Sequence, residues 1–271
     1  ETFQPSQLPM SALILAPGEA LEPVAQSLLS ALPFNVLTLS ISQLDSALVP
    51  APGEGRDVHV LLHMLTGAIE MPNGWDDYYA SRPSSLRKNL EKRTRRAAQE
   101  HGEPNLVVMT EASSVEAYLA LYSETEASGW KGQSGTAIRT DDPQGAFYRE
   151  MLLKSAAAGQ ARMFVLRFGD RPVAQQIAIE RDGVLYLMKT TYDEQYKSLA
   201  PGVLQRQHVL KWAATLPEPI SRVEIYGRLN DSQKPFVTSV RDVYHATFYR
   251  SRAVKSLREK LRAIRGAGQI A

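Results

Sequence analysis

The amino-acid sequence predicts an α/β protein, and three observations carry that prediction. Residues 161–168, 171–180 and 184–191 are apolar-rich runs separated by the turn pairs Gly169-Asp170 and Asp182-Gly183, the pattern of an antiparallel meander. Segments of helical period flank it at Ser114–Ala127, Gln144–Ala158 and Gly202–Thr215. Within VLYLMKTTYDEQYKSLAPGVLQRQHVLKW, Val184–Trp212, a strand passes through a polar crossover and Pro201-Gly202 into a helix.

In chain order, residues 12–16 and 35–40 read as short strands around a helix at 19–32, with a further strand at 58–62, together an α/β half-domain. Pro72, Asn73 and Gly74 punctuate the chain. Ser84–Gln99 reads as a long basic helix, with Ser81 or Ser84 as its cap and Gly102 as its stop. A strand at 106–109 leads into the helix Ser114–Ala127, the loop SGWKGQSGTA, the helix Gln144–Ala158 and the meander. After the Gly202–Thr215 helix come a strand at 222–226, a turn near 232–236, a strand at 243–249 and an amphipathic terminal helix at 251–265.

A chain of 271 residues has material for one large domain or two small ones. Its 44% hydrophobic and 22% charged residues argue against extended disorder. No apolar run approaches the length of a membrane span. The absence of cysteine excludes disulfides, thiolate metal sites and a cysteine nucleophile, and fits a reducing, cytoplasmic compartment. The chain begins at Glu1 rather than Met, so the sequence does not address a preceding segment or targeting signal.

A net charge of +2 does not by itself imply a polyanionic partner, but the basic residues are clustered. One cluster is Arg82, Arg87, Lys88, Lys92, Arg93, Arg95 and Arg96; the other is Arg250, Arg252, Lys255, Arg258, Lys260, Arg262 and Arg265. The second surrounds Val254, Leu257, Leu261 and Ile264, which recur at helical spacing. It reads as a solvated face on a helix whose apolar stripe docks on the protein or on a neighbouring subunit; the alternative is an acidic partner or the inner face of a membrane.

The strand-to-helix junction at Pro201-Gly202 is the first candidate site. Unpaired N–H groups and the positive end of a helix dipole meet there beside a strand end, which suits an anion such as the pyrophosphate of a donor. Trp130 stands in a loop of glycines and serines, where an indole serves as a lid or as a contact, and Lys131 beside it suits an anionic donor or acceptor. His59, His63, His101, His208 and His245 form no metal-ligand spacing, so no metal is expected. The Gly-x-Ser-x-Gly, Walker A and dinucleotide glycine motifs are absent, which argues against serine hydrolases, nucleotide hydrolases and dehydrogenases.

The order of one strand, two helices, three antiparallel strands, a helix, a strand, a turn and a last strand over about Asn105–Tyr249 resembles the GNAT fold of N-acetyltransferases. Lys197-Ser198-Leu199-Ala200-Pro201-Gly202 is similar to that family's pyrophosphate loop, with Ala200 in place of its first glycine and only Gly202 matching. SSLRKNLEKRTRR, Ser128-Gly129-Trp130-Lys131-Gly132, Phe147-Tyr148-Arg149, Pro172-Val173-Ala174, Lys189–Asp193 with Tyr196, and Pro201-Gly202 narrow the resemblance to the FemAB-like branch. Within that branch it is to the acetyltransferase-like proteins of cellulose and exopolysaccharide biosynthesis, the CelD or BcsL type.

The resemblance implies a tandem GNAT arrangement: a partial first half over 1–70, a connecting basic helix over 71–104, a second half over 105–250 and the terminal helix over 251–271. It implies an acyl-coenzyme A donor, acetyl-coenzyme A in the simplest case, held by Lys197, Ser198, Ala200, Gly202 and Val203. Asp193 is the implied base and Tyr192 or Tyr196 the acid. Lys189, Tyr226, Asn230 and Lys234, with Trp130 and Lys131, form the acceptor side. The implied acceptor is an amine on an amino sugar or another envelope precursor, with a homo-oligomer or polysaccharide-synthesis proteins as partners. The alternatives are an aminoacyl-tRNA-dependent transferase, whose basic helix contacts phosphates, and a catalytically silent assembly module.

Overall fold

In the computed structural model, residues 10, 13–53, 55, 57–127 and 142–267 are described, with side chains through 260. The elements in chain order are α1 (Leu21–Ala31), β1 (Thr38–Asp45), β2 (Val58–Glu70), α2 (Gly74–Ser81), α3 (Ser84–His101), β3 (Pro104–Met109), α4 (Val115–Ala127) and α5 (Pro143–Ala157). They continue with β4 (Ala161–Phe168), β5 (Arg171–Arg181), β6 (Val184–Tyr192), a 3-10 turn (Glu194–Leu199), α6 (Pro201–Ala214), β7 (Arg222–Ile225), β8 (Ser239–Tyr249) and α7 (Arg252–Ala267). The chain divides into two compact units, Gly67–Ser239 and the pair of segments Glu1–Thr66 and Val240–Ala271.

The larger unit is three layers deep. The end of β2 pairs with β7, β7 runs parallel to β6, and β6, β5, β4 and β3 follow as antiparallel neighbours. The expected turn at Asp182-Gly183 has both residues at positive φ (51° and 74°), the backbone twist that suits a tight hairpin. One sheet face is closed by Leu86, Leu90 and Ala97 of α3 with Leu204, Val209, Leu210 and Ala213 of α6. The other is closed by Tyr118, Leu119 and Tyr122 of α4 with Tyr148 and Leu152 of α5. Each helix buries one stripe and leaves the rest to water, which a sheet covered on both faces requires.

Several boundaries differ from the sequence reading for identifiable reasons. Residues 13–16 form no strand, and 11–12 lie outside the described residues. β2 runs on to Glu70 because Gly67–Glu70 find a partner strand in β7, a pairing that local sequence does not reveal. α2 has no counterpart in the sequence pattern: it is short and polar, and it is held by buried Tyr78, whose hydroxyl donates to Phe236 O at 2.7 Å. Neither expected serine caps α3, since Pro83 occupies the cap and Ser81 Oγ donates to Tyr78 O at 2.6 Å. Gly102 does end α3, at φ +104°, and an added Cβ would lie 3.0 Å from the Gly169 backbone. α5 has a side-chain cap, Asp142 Oδ1 accepting from Gly145 N at 2.7 Å.

The smaller unit packs α1 on β1 and β8, which pair antiparallel from Thr38↔Tyr249 to Asp45↔Val243. Two residues of its basic cluster are structural rather than solvated. Arg250 donates to Leu29, Leu32, Pro33 and Val36 carbonyls at 2.5 to 3.1 Å, satisfying the open end of α1. Lys255 Nζ donates to Gly55 O at 2.9 Å and Val58 O at 2.8 Å.

Candidate active site

β7 is short, and its pairing with β6 ends at Leu187↔Ile225 while β6 continues to Tyr192. The strands part there, and a cleft of about 470 Å³ opens beside the free half of β6. Its walls are Thr190–Tyr192, Lys197 and Ala200–Val203 at the start of α6, Arg206 one turn on, Asn230, Ser232 and Gln233 after β7, and Thr125 and Glu126 from the end of α4, with Glu194.

A bulge decides which side chains of β6 face this space. Ile177 pairs with Lys189 and Ala178 with Leu187, so Met188 is an extra residue. Leu185 and Leu187 lie in the core under α3 and α6. Met188 packs against the core under α4 and α5, and Lys189 on the same side reaches Glu126 of α4 at 3.2 Å. Thr190 and Tyr192 return to α6, where a Cβ on Gly202 would lie 4.0 Å from Thr190 Cγ2 and 3.8 Å from Tyr192 Cδ1. Gln176 on β5 clamps the irregularity: its Nε2 donates to Ile177 O at 3.0 Å and Lys189 O at 3.1 Å, and its Oε1 accepts from Thr190 Oγ1 at 2.5 Å.

α6 begins from a left-handed residue, Ala200 at φ 49° and ψ 61°, a conformation costing about 1 kcal/mol for a residue with a Cβ. Ala200 O accepts from Val203 N at 2.9 Å and Leu204 N at 3.2 Å. Pro201 has no N–H, so the Gly202 amide is the donor of this first turn that remains for a ligand. Gly202 itself is not at positive φ, and a Cβ there makes only ordinary contacts.

Arg206 is 8% exposed. Its Nη1 donates to Ser232 O at 3.1 Å, and its guanidinium lies 5.2 Å from the Phe236 ring centroid. Among the described residues no carboxylate pairs with it. Burial pulls its pKa down to about 10, partly offset by the Tyr78 hydroxyl nearby. Sequence reasoning passed over this residue, although it carries a signal: Arg206, Val209, Leu210 and Ala213 share the buried stripe of α6, where a cation is out of place. Glu126 is a similar case, following Tyr118 and Tyr122 at helical spacing on the buried stripe of α4.

The structure gathers some of the expected site residues and not others. Tyr192, Lys197, Ala200, Gly202, Val203 and Asn230 line the cleft; Ser198 is exposed outside it. Asp193 caps the 3-10 turn, its Oδ1 accepting from Gln195 N at 2.9 Å. Tyr196 is buried against Phe168 and His101, at ring centroid distances of 5.7 and 5.0 Å. Lys189 pairs with Glu126. Tyr226 extends the β7 pairing, its N–H donating to Leu187 O at 3.0 Å, and burial raises its phenol pKa. Asn230 orders the following turn, its Oδ1 accepting from Ser232 Oγ at 2.7 Å and from Gln233 N at 3.1 Å. Lys234 is exposed and pairs with Asp231 at 2.7 Å. Trp130 and Lys131 lie outside the described residues. Among the described residues there is no group of three or more His, Asp or Glu side chains that could hold a metal ion, and no helix long and apolar enough to cross a membrane.

Comparison with known proteins agrees with this topology. Residues 84–231 match the family model of the acetyltransferase (GNAT) domain. No curated protein matches the chain. Among solved structures, the chain is similar to the C-terminal domain of a protein assigned as a lysylphosphatidylglycerol synthetase from Agrobacterium fabrum. The two share 10% identity at a TM-score of 0.51, over 88% of this chain and 75% of that one. It is also similar to FemX, at 10% identity and a TM-score of 0.47, over 73% of this chain and 64% of that one. A conserved protein of unknown function from Bacteroides thetaiotaomicron is similar at 11% identity and a TM-score of 0.48, over 75% and 64%. The chain therefore covers less than two thirds of the length of the latter two, and the likeness at these identities is one of fold. The family model spans more than half of the chain, and strands β3 to β7, with the parting parallel pair, lie within that span; the chain belongs to the acetyltransferase (GNAT) domain family and has the GNAT fold.

Proposed function

We propose that the protein is an N-acyltransferase that moves an acyl group, acetyl in the simplest case, from acyl-coenzyme A to an amine. The observation that supports this most directly is the cleft where β6 and β7 part, closed on one side by the start of α6. Its volume is that of an ordinary ligand site. The Gly202 amide, the positive end of α6 and Lys197 share one wall, a setting suited to the phosphates of such a donor.

A thioester donor supplies an activated acyl carbon; the chain's own part is to hold the donor, present the amine as its free base and take up its proton. We assign donor contacts to Lys197, Ser198, Ala200, Gly202 and Val203, proton removal to Asp193, and proton delivery to the leaving sulfur to Tyr192. Tyr192 is preferred to Tyr196 because it lines the cleft while Tyr196 is packed into the core. The acceptor side is assigned to Lys189, Tyr226, Asn230, Lys234, Trp130 and Lys131, and the acceptor to an amino sugar or another envelope or exopolysaccharide precursor. The tandem arrangement, with residues 1–70 as the rest of a first half, belongs to the same reading.

Calorimetric titration with acetyl-coenzyme A tests it. The wild-type protein should bind, and Gly202→Asp should abolish binding at an unchanged melting temperature, because it sets a carboxylate against the donor's phosphates. A wild-type protein that takes up no acyl-coenzyme A sinks the reading.

One observation favours a second reading, an aminoacyl-tRNA-dependent transfer. Lys88, Lys92 and Arg95 are exposed at positions i, i+4 and i+7 of α3, a continuous basic stripe. Phosphate contacts along it require tRNA binding that weakens steeply with salt. No retention of tRNA at low ionic strength removes this reading.

A further inference from the structure

Resting on the acyl-coenzyme A reading of the cleft, we infer that Arg206 is the principal anchor for the donor's phosphates, a side-chain replacement for backbone amides that the first turn of α6 does not offer. The first turn of α6 is poor in donors. Pro201 contributes none, and the Val203 and Leu204 amides are both bonded to Ala200 O, which leaves Gly202. A phosphate held by one amide and a helix end is weakly held, so a further donor group is required nearby.

Arg206 meets that requirement in position and in chemistry. Side chains on a helix lean toward its N-terminus, so a residue four positions after Gly202 covers the turn that Gly202 begins. Arg206 lines the same cleft as Gly202 and is more than nine-tenths buried. Among the described residues one of its five N–H groups is used, on Ser232 O, and its guanidinium carbon lies over the Phe236 ring, so two contacts hold the fork before a ligand arrives. Among the described residues no carboxylate pairs with it, and Glu126 of the cleft pairs with Lys189. A buried cation without a counterion is unfavourable, and an entering phosphate removes that penalty while accepting a bidentate pair. Lys197, the other cation among the lining residues, is exposed on the 3-10 turn and is less suited to be the main contact. If Arg206 served only to hold Ser232 and Phe236 in place, neutral ligands and phosphorylated ones would feel its loss alike.

The experiment is calorimetric binding of coenzyme A, and of pantetheine, which lacks the phosphates, to wild type, Arg206→Met and Arg206→Lys, with melting temperatures recorded alongside. Arg206→Met should weaken coenzyme A by about thirtyfold and pantetheine by less than about twofold, with Arg206→Lys recovering part of the loss. Equal losses for the two ligands, or an unchanged affinity for coenzyme A, overturn the inference. So does a raised KM for the acceptor with donor affinity intact, which would give the residue to the acceptor. Should Arg206→Met fail to fold, inorganic pyrophosphate provides the measurement: it should displace coenzyme A from the wild type, less effectively from Arg206→Lys, and failure to displace it overturns the anchor. A wild type that binds no coenzyme A refutes the acyltransferase reading itself, whereas a wild type that binds it and a methionine variant that binds it equally refute only the role of Arg206.

Discussion

Lys189 Nζ and Glu126 Oε2 lie 3.2 Å apart beside the cleft that Glu126 lines, joining a side chain 15% exposed to one that is fully buried. The carboxylate is in the last turn of α4, where the helix dipole disfavours negative charge, so it depends on its cation. Lys189 also lies 5.5 Å from the Tyr148 ring centroid. Lys189→Met should destabilise the protein by about 2 kcal/mol, and adding Glu126→Gln should recover much of that loss, as measured by urea unfolding of the single and double variants. Additive losses would show that the pair is not coupled.

Ala200 carries a left-handed backbone that glycine adopts without strain. Ala200→Gly should raise stability by up to about 1 kcal/mol, the relieved strain exceeding the added freedom of the unfolded chain, while Ala200→Val should lower it by about 2 kcal/mol. A lower melting temperature for the glycine variant contradicts the assigned conformation.

Tyr192 and Tyr196 separate a chemical role from a packing role. Tyr192→Phe should reduce kcat by about a hundredfold and leave the melting temperature unchanged. Tyr196→Ala should cost about 3 kcal/mol of stability through the cavity left among Phe168 and His101. Full turnover in Tyr192→Phe removes the hydroxyl from the mechanism.

Burial lowers the pKa of His208, helped by Lys211, and burial with His63 lowers that of His245. Both rings therefore bind protons more readily unfolded than folded. Their contribution to stability is complete above an ordinary histidine pKa of about 6.5 and is lost as pH falls through the lower folded values. Melting temperature should fall between neutral pH and mildly acid pH, and less so in His208→Gln; an identical slope in that variant would exclude His208 as a source.

The meander and the Val184–Trp212 junction were legible because period-two strands, turn pairs and a Pro-Gly helix start are local signals. The far half of β2 was not, since Gly67–Glu70 are a strand only through pairing with residues more than 150 positions away. Of the candidate site, the α6 start could be read from its turn chemistry, but not the share of its amides taken up by Ala200 O. Arg250 reads as one more cation of a basic run, and only the folded chain shows it closing α1. Arg206 and Glu126 were hidden for the opposite reason: a charged residue on a helix is assigned to solvent unless the phase of the apolar stripe is followed residue by residue.

Met188 has a consequence larger than its own contacts. Strand alternation has a parity, and one surplus residue inverts it for everything downstream. Up to Leu187 the odd-numbered positions of β6 turn to α6; from Thr190 onward the even-numbered ones do. Without the bulge, a regular strand of the same sequence would send Lys189 toward α6 and Thr190 and Tyr192 toward α4, although no residue that lines the cleft had changed. The strand is thus written in two frames, and the side chains its outer half presents to a ligand are set by a bulge that need never touch one.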